Sequence, residues 1–328
     1  MIRVKKSRPC PICQKTDWCL LSPDGQQAFC MRIYAGAVEI LTFADGSEVA
    51  KHLLSNPRPP RPSPPPPPLP ATTPLASIQV RNIVYQALLY LSNATSYAVL
   101  YENLRDRGFS HEKCQEYGAL PQSNADRRYL VKYLLKYLAG HNIYSLAGVP
   151  GFWTKDGETR LCPNYPTPNP YLLIPYRDPA GLIQGLQYRT EGTHKYRWLS
   201  SSRHTSGATP GKLLHYCQPF RPIESIVVTE GALKGEVYKK HFPAAAVICL
   251  DGVNTGHYQV AEWSKNRTLY IAFDMDWQTN PQVKHHLDHL MACHSGPTSQ
   301  MQWENHKGID DALEHGEEII SLPITPAK

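Results

Sequence analysis

SIVVTEGALKGE (Ser225–Glu236) and, further along, TLYIAFDMD (Thr268–Asp276) decide the fold. In the first, a short β-branched run ends on Glu230 and passes through Gly231 into an amphipathic segment. In the second, a run of the same kind ends on Asp274 and Asp276, and a third apolar run, Ala244–Leu250, lies between the two. Short apolar runs alternating with helix-length amphipathic segments predict a parallel sheet. In an open α/β sheet the polar residues just past the C-terminal strand ends gather in one crevice, so Glu230, Asp274 and Asp276 are expected to meet there. At strand spacing Asp274 and Asp276 would share a face and point at one ion. Like charges so close repel by roughly 1–4 kcal/mol per pair, a cost that a divalent cation removes, and oxygen-only ligands favour Mg²⁺ or Mn²⁺ over zinc. Taken singly, each of the three also suits a helix cap.

The order strand, Glu-Gly, helix, strand, glycine-bearing turn (Asp251-Gly252), helix, strand and Asp-x-Asp resembles the Toprim domain of bacterial primases, topoisomerases and certain nucleases, over Ser225 to Leu322. HKGIDDAL (His306–Leu313) resembles the terminal acidic motif of Toprim-like domains in phage and plasmid replication proteins; Asp310 and Asp311 there either cap a last helix or bind a second metal. Upstream, YLLIPYRDPAGLIQGLQYR (Tyr171–Arg189) carries two apolar runs around the turn Asp178-Pro179-Ala180-Gly181, and KYRWLSS (Lys195–Ser201) follows. This order resembles the N-terminal half of the bacterial primase catalytic core. The resemblance implies that Arg177, Arg189, Lys195 and Arg197 stand beside the metal site, where four cations suit a polyanion. Tyr188, Tyr196 and Trp198 would offer faces for base stacking. It further implies that Asp274 and Asp276 hold Mg²⁺ on an incoming nucleotide, that Glu230 completes the metal shell or acts as general acid/base, and that Asp310 joins the catalytic set. One departure stands out: primases of this type place an acidic residue four positions after the glutamate, and here that residue is Lys234, which would compete with the metal or anchor a phosphate.

The amino terminus is independent of this. RPCPICQKTDWCLLSPDGQQAFCMRI holds Cys10, Cys13, Cys19 and Cys30, four of the nine cysteines. A Cys-Pro-x-Cys knuckle aims two thiolates at one tetrahedral zinc, and Trp18–Leu21 and Ala28–Met31 read as a hairpin around Ser22-Pro23-Asp24-Gly25. This resembles a zinc β-ribbon, although the usual second Cys-x-x-Cys is missing; Cys19 is then the expected fourth ligand and His52 the reserve. Bacterial primases also begin with a zinc-binding module. Cys114, Cys162, Cys217, Cys249 and Cys293 show no pairing pattern and are expected to be reduced, mostly buried thiols.

With 328 residues and 41% hydrophobic content the chain is long enough for a sizeable core and more than one domain. Its 34 basic and 28 acidic residues give a net charge of +6, a mild bias that permits a polyanionic partner. No apolar run reaches the length of a membrane span and no signal-peptide core is present, so a cytoplasmic protein with no membrane partner is expected. PRPPRPSPPPPPLPATTP (Pro57–Pro74) predicts an extended polyproline II spacer. From Ile78 to Leu138 the pattern is helical, with Val84, Leu88 and Leu91, then Leu130, Leu134 and Leu138, at three-to-four spacing.

Two motifs are set aside. Gly207–Lys212 is one residue short of a Walker loop and lacks the following Ser/Thr, so no ATPase or helicase engine is visible. His285, His286 and His289 lie on a helix expected over Asn280–His294, without a carboxylate or cysteine to complete a ligand set.

The expected architecture is α/β: a zinc ribbon (1–56), a proline-rich linker (57–74), a helical and α+β subdomain (75–222) and a Toprim-like parallel sheet (223–328). The expected function is primase-like nucleotidyl transfer in a phage, plasmid or mobile element, on single-stranded DNA and nucleoside triphosphates, borrowing a separate replicative helicase or working without one. The alternatives are a Toprim nuclease, which uses the same carboxylates to cut, and a non-catalytic DNA-binding replication factor.

Overall fold

The computed structural model describes residues 1–42, 47–54, 73–191, 195–217 and 224–324. Apart from Thr73 and Pro74, the proline-rich segment lies outside them. Strands β1 (Ile2–Arg3), β2 (Leu20–Leu21), β3 (Gln27–Cys30), β4 (Glu39–Thr42) and β5 (Glu48–Leu53) form an antiparallel sheet in the order β1-β2-β3-β5-β4. Leu20 pairs with Phe29 and Leu21 with Ala28, the hairpin expected around Ser22–Gly25. Its apolar core is small, with Val4, Leu21 and Ala28 packed around the thiols of Cys10, Cys19 and Cys30. A unit of this size buries too little apolar surface to fold well without a staple.

The next segment is helical, as its spacing predicts: α1 (Ile78–Leu91), α2 (Ala98–Arg105), α3 (His111–Cys114) and α4 (Asn124–Ala139), with the short strand β6 (Gly118–Leu120) between the last two. Ser77, Ser110 and Ser123 cap α1, α3 and α4 by accepting a hydrogen bond from a first-turn N–H. Val84 and Leu88 of α1 pack with Leu130, Leu134 and Leu138 of α4 in one cluster. After the hairpin β7 (Phe152–Lys155) and β8 (Glu158–Leu161), strands β9 (Tyr171–Arg177), β10 (Ile183–Arg189) and β11 (Tyr196–Trp198) join β6 in an antiparallel sheet ordered β11-β10-β9-β6.

The C-terminal sheet is built from β12 (His215–Cys217), β13 (Ser225–Glu230), β14 (Ala246–Leu250), β15 (Thr268–Ala272), β16 (Thr298–Gln302) and β17 (Ile320–Ile324), in the order β12-β14-β13-β15-β16-β17. Its four central strands are parallel and its two edges antiparallel. Helices α5 (Ala232–His241) and α8 (Ile309–Glu314) cover one face, and α6 (His257–Trp263) and α7 (Pro281–Cys293) the other. Burial on both faces explains why these strands read as continuous apolar runs: Ile226, Val228, Ile248 and Ile271 pack towards α6 and α7, while Val227, Val247 and Cys249 pack towards α5 and α8. Because β14 and β15 flank β13 on opposite sides, the chain reverses direction across the sheet there, and the C-terminal ends of β13 and β15 open a crevice. Gly231 makes the turn from β13 into α5 at φ +75°, where a side chain would be strained.

One expectation fails locally. β15 ends at Ala272, Phe273 is fully buried, and Asp274 leads into a 3₁₀ turn, Met275–Gln278, so Asp274 and Asp276 are not strand partners sharing a face. The Asp276 carbonyl accepts from the Thr279 and Asn280 N–H groups and closes that turn. Among the described residues no helix is long and apolar enough to cross a membrane.

Candidate functional site

At the C-terminal ends of β13 and β15 lies a cavity of about 240 Å³. Glu230, Lys234, Asp274 and Asp310 line it, with Asp251 at the end of β14, Arg107 from the turn after α2, and Tyr176, Gln187 and Tyr196 from the antiparallel sheet. The site thus sits where the two sheets meet over α5. Trp198 fastens that junction by donating its indole N–H to Asp251 at 2.7 Å, while Gln187 donates to the other carboxylate oxygen at 3.4 Å.

Glu230 and Asp274 are held together by the backbone: the Asp274 N–H donates to Glu230 Oε1 at 3.1 Å. Burial, and then the charge of Asp274, push the Glu230 carboxyl up to about 7 against the pull of Lys234. Lys234 reaches Asp274 directly. Burial alone would lower its pKa, but Asp274 and Glu230 raise it, so it remains charged. Lys307, just ahead of α8, bridges Asp276 at 2.8 Å and Asp274 at 3.6 Å. Asp276 therefore joins the cluster through Lys307. Burial also raises Asp310. A Cβ on Gly308 would stand 2.5 Å from Asp310 Oδ1 and 3.4 Å from Lys234 Nζ, so glycine there leaves those two groups room.

Among the described residues, Asp276 Oδ1, Asp310 Oδ1 and Arg107 Nε, in and beside this cavity, are buried without a hydrogen-bond partner. Orphaned carboxylate oxygens cost about 1–3 kcal/mol each, which is tolerated where a ligand supplies the missing partner. An all-oxygen donor set with orphan oxygens fits Mg²⁺ or Mn²⁺. Lys234 and Lys307 occupy part of that donor set and would have to turn aside.

The basic residues expected beside the carboxylates are distributed differently. Arg189 and Lys195 line a separate hollow of about 350 Å³ with Asn103, which Arg189 hydrogen-bonds. Arg177 pairs with Glu116 at 3.4 Å. Arg197 is exposed on β11, opposite Tyr188. Of the aromatics, Tyr188 is buried and stacked on Tyr171, Trp198 is committed to Asp251, and Tyr196 is exposed at the cavity rim. Sequence reasoning assigned nothing to Arg107, Asp251, Gln187 or Lys307. Lys307, Asp251 and Gln187 lie inside the quoted segments HKGIDDAL, Asp251-Gly252 and Tyr171–Arg189, whereas Arg107 arrives by long-range packing.

The N-terminal cysteines meet as expected. The Sγ atoms of Cys10, Cys13, Cys19 and Cys30 all lie within 4.8 Å of one another. Cys13 and Cys19 are 3.7 Å apart and Cys19 and Cys30 3.8 Å, against about 3.8 Å for two thiolates on one tetrahedral zinc. The Met31 N–H points at Cys19 Sγ at 3.5 Å and the Ile33 N–H at Cys30 Sγ at 3.3 Å, contacts that steady thiolate charge. His52 is engaged elsewhere, its Nε2 lying 2.7 Å from the Ile33 carbonyl. The donor set fits a structural zinc ion.

No protein-family profile matches the chain, and no curated protein matches it. Solved structures do. The zinc-binding and RNA polymerase domains of the Aquifex aeolicus primase align over 75% of this chain at 17% identity with a TM-score of 0.52, and this chain spans 63% of that one. A DNA primase domain from Pseudomonas aeruginosa aligns over 74% of each chain at 15% identity and a TM-score of 0.50. The RNA polymerase domain of Mycobacterium tuberculosis primase DnaG, in complex with a double-stranded DNA oligomer with a 6-nucleotide overhang, aligns over 74% of this chain and 78% of its own at 15% identity and a TM-score of 0.50. At these identities the likeness is one of fold, and over the matched three quarters of this chain the fold is that of the bacterial primase catalytic core.

Proposed function

We propose that the chain is a primase-like nucleotidyltransferase that makes short primers on single-stranded DNA, with the carboxylate cavity as its catalytic centre. The observation that carries this reading is the crevice at β13 and β15, where buried carboxylate oxygens without partners face basic side chains and an exposed tyrosine. Glu230, Asp274, Asp276 and Asp310 would hold the ion. Bound there, Mg²⁺ or Mn²⁺ would neutralise triphosphate charge and favour displacement at phosphorus. Lys234 and Lys307, relieved of Asp274 and Asp276, become free to hold the phosphates, with Arg107 offering an unpartnered N–H. Tyr196 offers a ring face for a base. Arg189, Lys195 and Arg197, on the antiparallel sheet, suit a template backbone running past the cavity. The antiparallel sheet supports synthesis over cutting, since a nuclease has no need of a nucleotide-holding half. Zinc held by the four cysteines would keep the N-terminal module folded.

The test incubates the purified chain with Mg²⁺ or Mn²⁺, single-stranded DNA and labelled ribo- and deoxynucleotides, beside Asp274→Ala. New oligomers that vanish in the variant are expected; cut template would replace the reading with a nuclease, and no product with either metal would leave a DNA-binding factor.

A further inference from the structure

Away from the carboxylate cavity, the N-terminal module meets helix α7 through a cluster of histidines to which it brings a carboxylate, Asp288 on the helix itself being paired with Lys284. Glu48, on β5, is 237 residues from His285, yet its Oε2 lies 2.7 Å from His285 Nε2. Donor atoms of Glu48, His285 and His286 all fall within 4.8 Å of one another. The other carboxylate oxygen, Oε1, lies 3.7 Å from His289 Nε2.

The hydrogen bonds fix which nitrogens are free to ligate. His257, 1% exposed, has its Nε2 2.5 Å from the Val253 carbonyl, so that nitrogen carries the proton and donates. Its Nδ1 is then an acceptor, and the His289 Nδ1 only 2.6 Å away must be the donor. His289 Nε2 then faces a carboxylate oxygen at 3.7 Å, with the Cys293 thiol 3.9 Å away. A ring nitrogen and a carboxylate oxygen turned towards each other need a proton or a metal ion between them, and about 3.4 Å separates such donors on one tetrahedral ion. Tyr34, whose ring lies 4.5 Å from that of His285, adds a buried hydroxyl without a partner. The cluster has the polar groups of a ligand site and an incomplete hydrogen-bond account.

From this geometry we infer a second zinc site, held by Glu48, His285 and His286 with His289 as the fourth donor, that staples the N-terminal module to α7. Three imidazoles and one carboxylate match the borderline Zn²⁺ and not the hard Mg²⁺ or Ca²⁺. The donors come from both units, so the ion would fix how the cysteine module is carried against the parallel sheet. The site is separate from the four thiolates and from the Asp274 cavity, and it explains why α7 carries three histidines within one helical turn.

The experiment counts metal on the full chain after zinc loading and exposure to a chelator of micromolar affinity, in wild type, Glu48→Gln, and His285→Ala with His286→Ala. Two zinc ions per chain are expected in wild type and one in each variant. Cobalt substitution separates the sites, because only the cysteine site gives intense thiolate-to-cobalt absorption. That absorption is expected unchanged in both variants, which also shows the module still folded, while the weaker nitrogen- and oxygen-ligand absorption falls by one cobalt equivalent. One zinc ion per chain in wild type, or two retained in both variants, would overturn the proposal. So would simultaneous loss of both ions in Glu48→Gln.

Discussion

Lys234 and Glu236 stand two residues apart on α5 and enter polar sites of opposite character. Glu236 belongs to a closed network: it accepts from Lys113 at 2.9 Å and from His215 Nε2 at 3.1 Å. The Arg177 N–H points at His215 Nδ1 at 3.0 Å, which fixes the ring as its neutral Nε2–H tautomer. Lys234 belongs to an open cluster, in which carboxylates crowd one another and Asp276 Oδ1 and Asp310 Oδ1 have no partner. Burial would raise both glutamates. His215 and Lys113 instead hold Glu236 down to about 2, whereas Glu230, beside Asp274, is pushed up to about 7. A satisfied buried network contributes stability, and an unsatisfied one spends stability to keep groups ready for a ligand. The contrast across one helix separates scaffold from site.

Substitutions on the two sides should therefore fail in opposite ways. The largest effect is expected from Asp274→Ala: primer synthesis falls by at least ~10³, about 4 kcal/mol in the barrier, while the urea midpoint holds because Glu230 takes over Lys234. Glu236→Gln reverses the pattern, costing about 3 kcal/mol by leaving Lys113 with only Glu116. Its primer yield per folded molecule stays near wild type. Were Glu236→Gln to abolish synthesis in folded protein, the division between scaffold and site would break. Lys234→Gln sharpens it: with the competing cation gone, Mn²⁺ affinity rises by about tenfold, or 1.4 kcal/mol, read by calorimetric titration. The smallest effect is in the pH dependence. The folded pKa of Glu236 lies below its ordinary value of 4.5, so its contribution is complete above that pH and lost as pH falls towards 2. The stability gap between wild type and Glu236→Gln should narrow over that window.

Both sides of this comparison bear on what the chain discloses by itself. The zinc ribbon was legible because its ligands are local, with spacing and a turn that meet in space whatever the rest of the chain does. The parallel sheet was legible through its uninterrupted apolar runs, and the crevice through the carboxylates at their ends. What sequence spacing missed was set by tertiary placement. The strand carrying Asp274 stops at Ala272, and the 3₁₀ turn sends Asp276 to Lys307. Arg107 reaches the cavity only because α2 and the turn after it pack, through Leu104 and Phe109, in one cluster with Leu233 of α5. Arg189 turns to Asn103, a partner 86 residues away. Glu48 completes the α7 histidines from another sheet, which no window along the helix contains.

The central claim, that the orphaned carboxylates at β13 and β15 form a divalent-cation site, is tested most directly by a Mn²⁺ titration of the zinc-loaded chain followed by electron paramagnetic resonance. Wild type and Glu236→Gln should each take up Mn²⁺ at a site that Asp274→Ala loses. Equal Mn²⁺ uptake in wild type and Asp274→Ala would contradict the account.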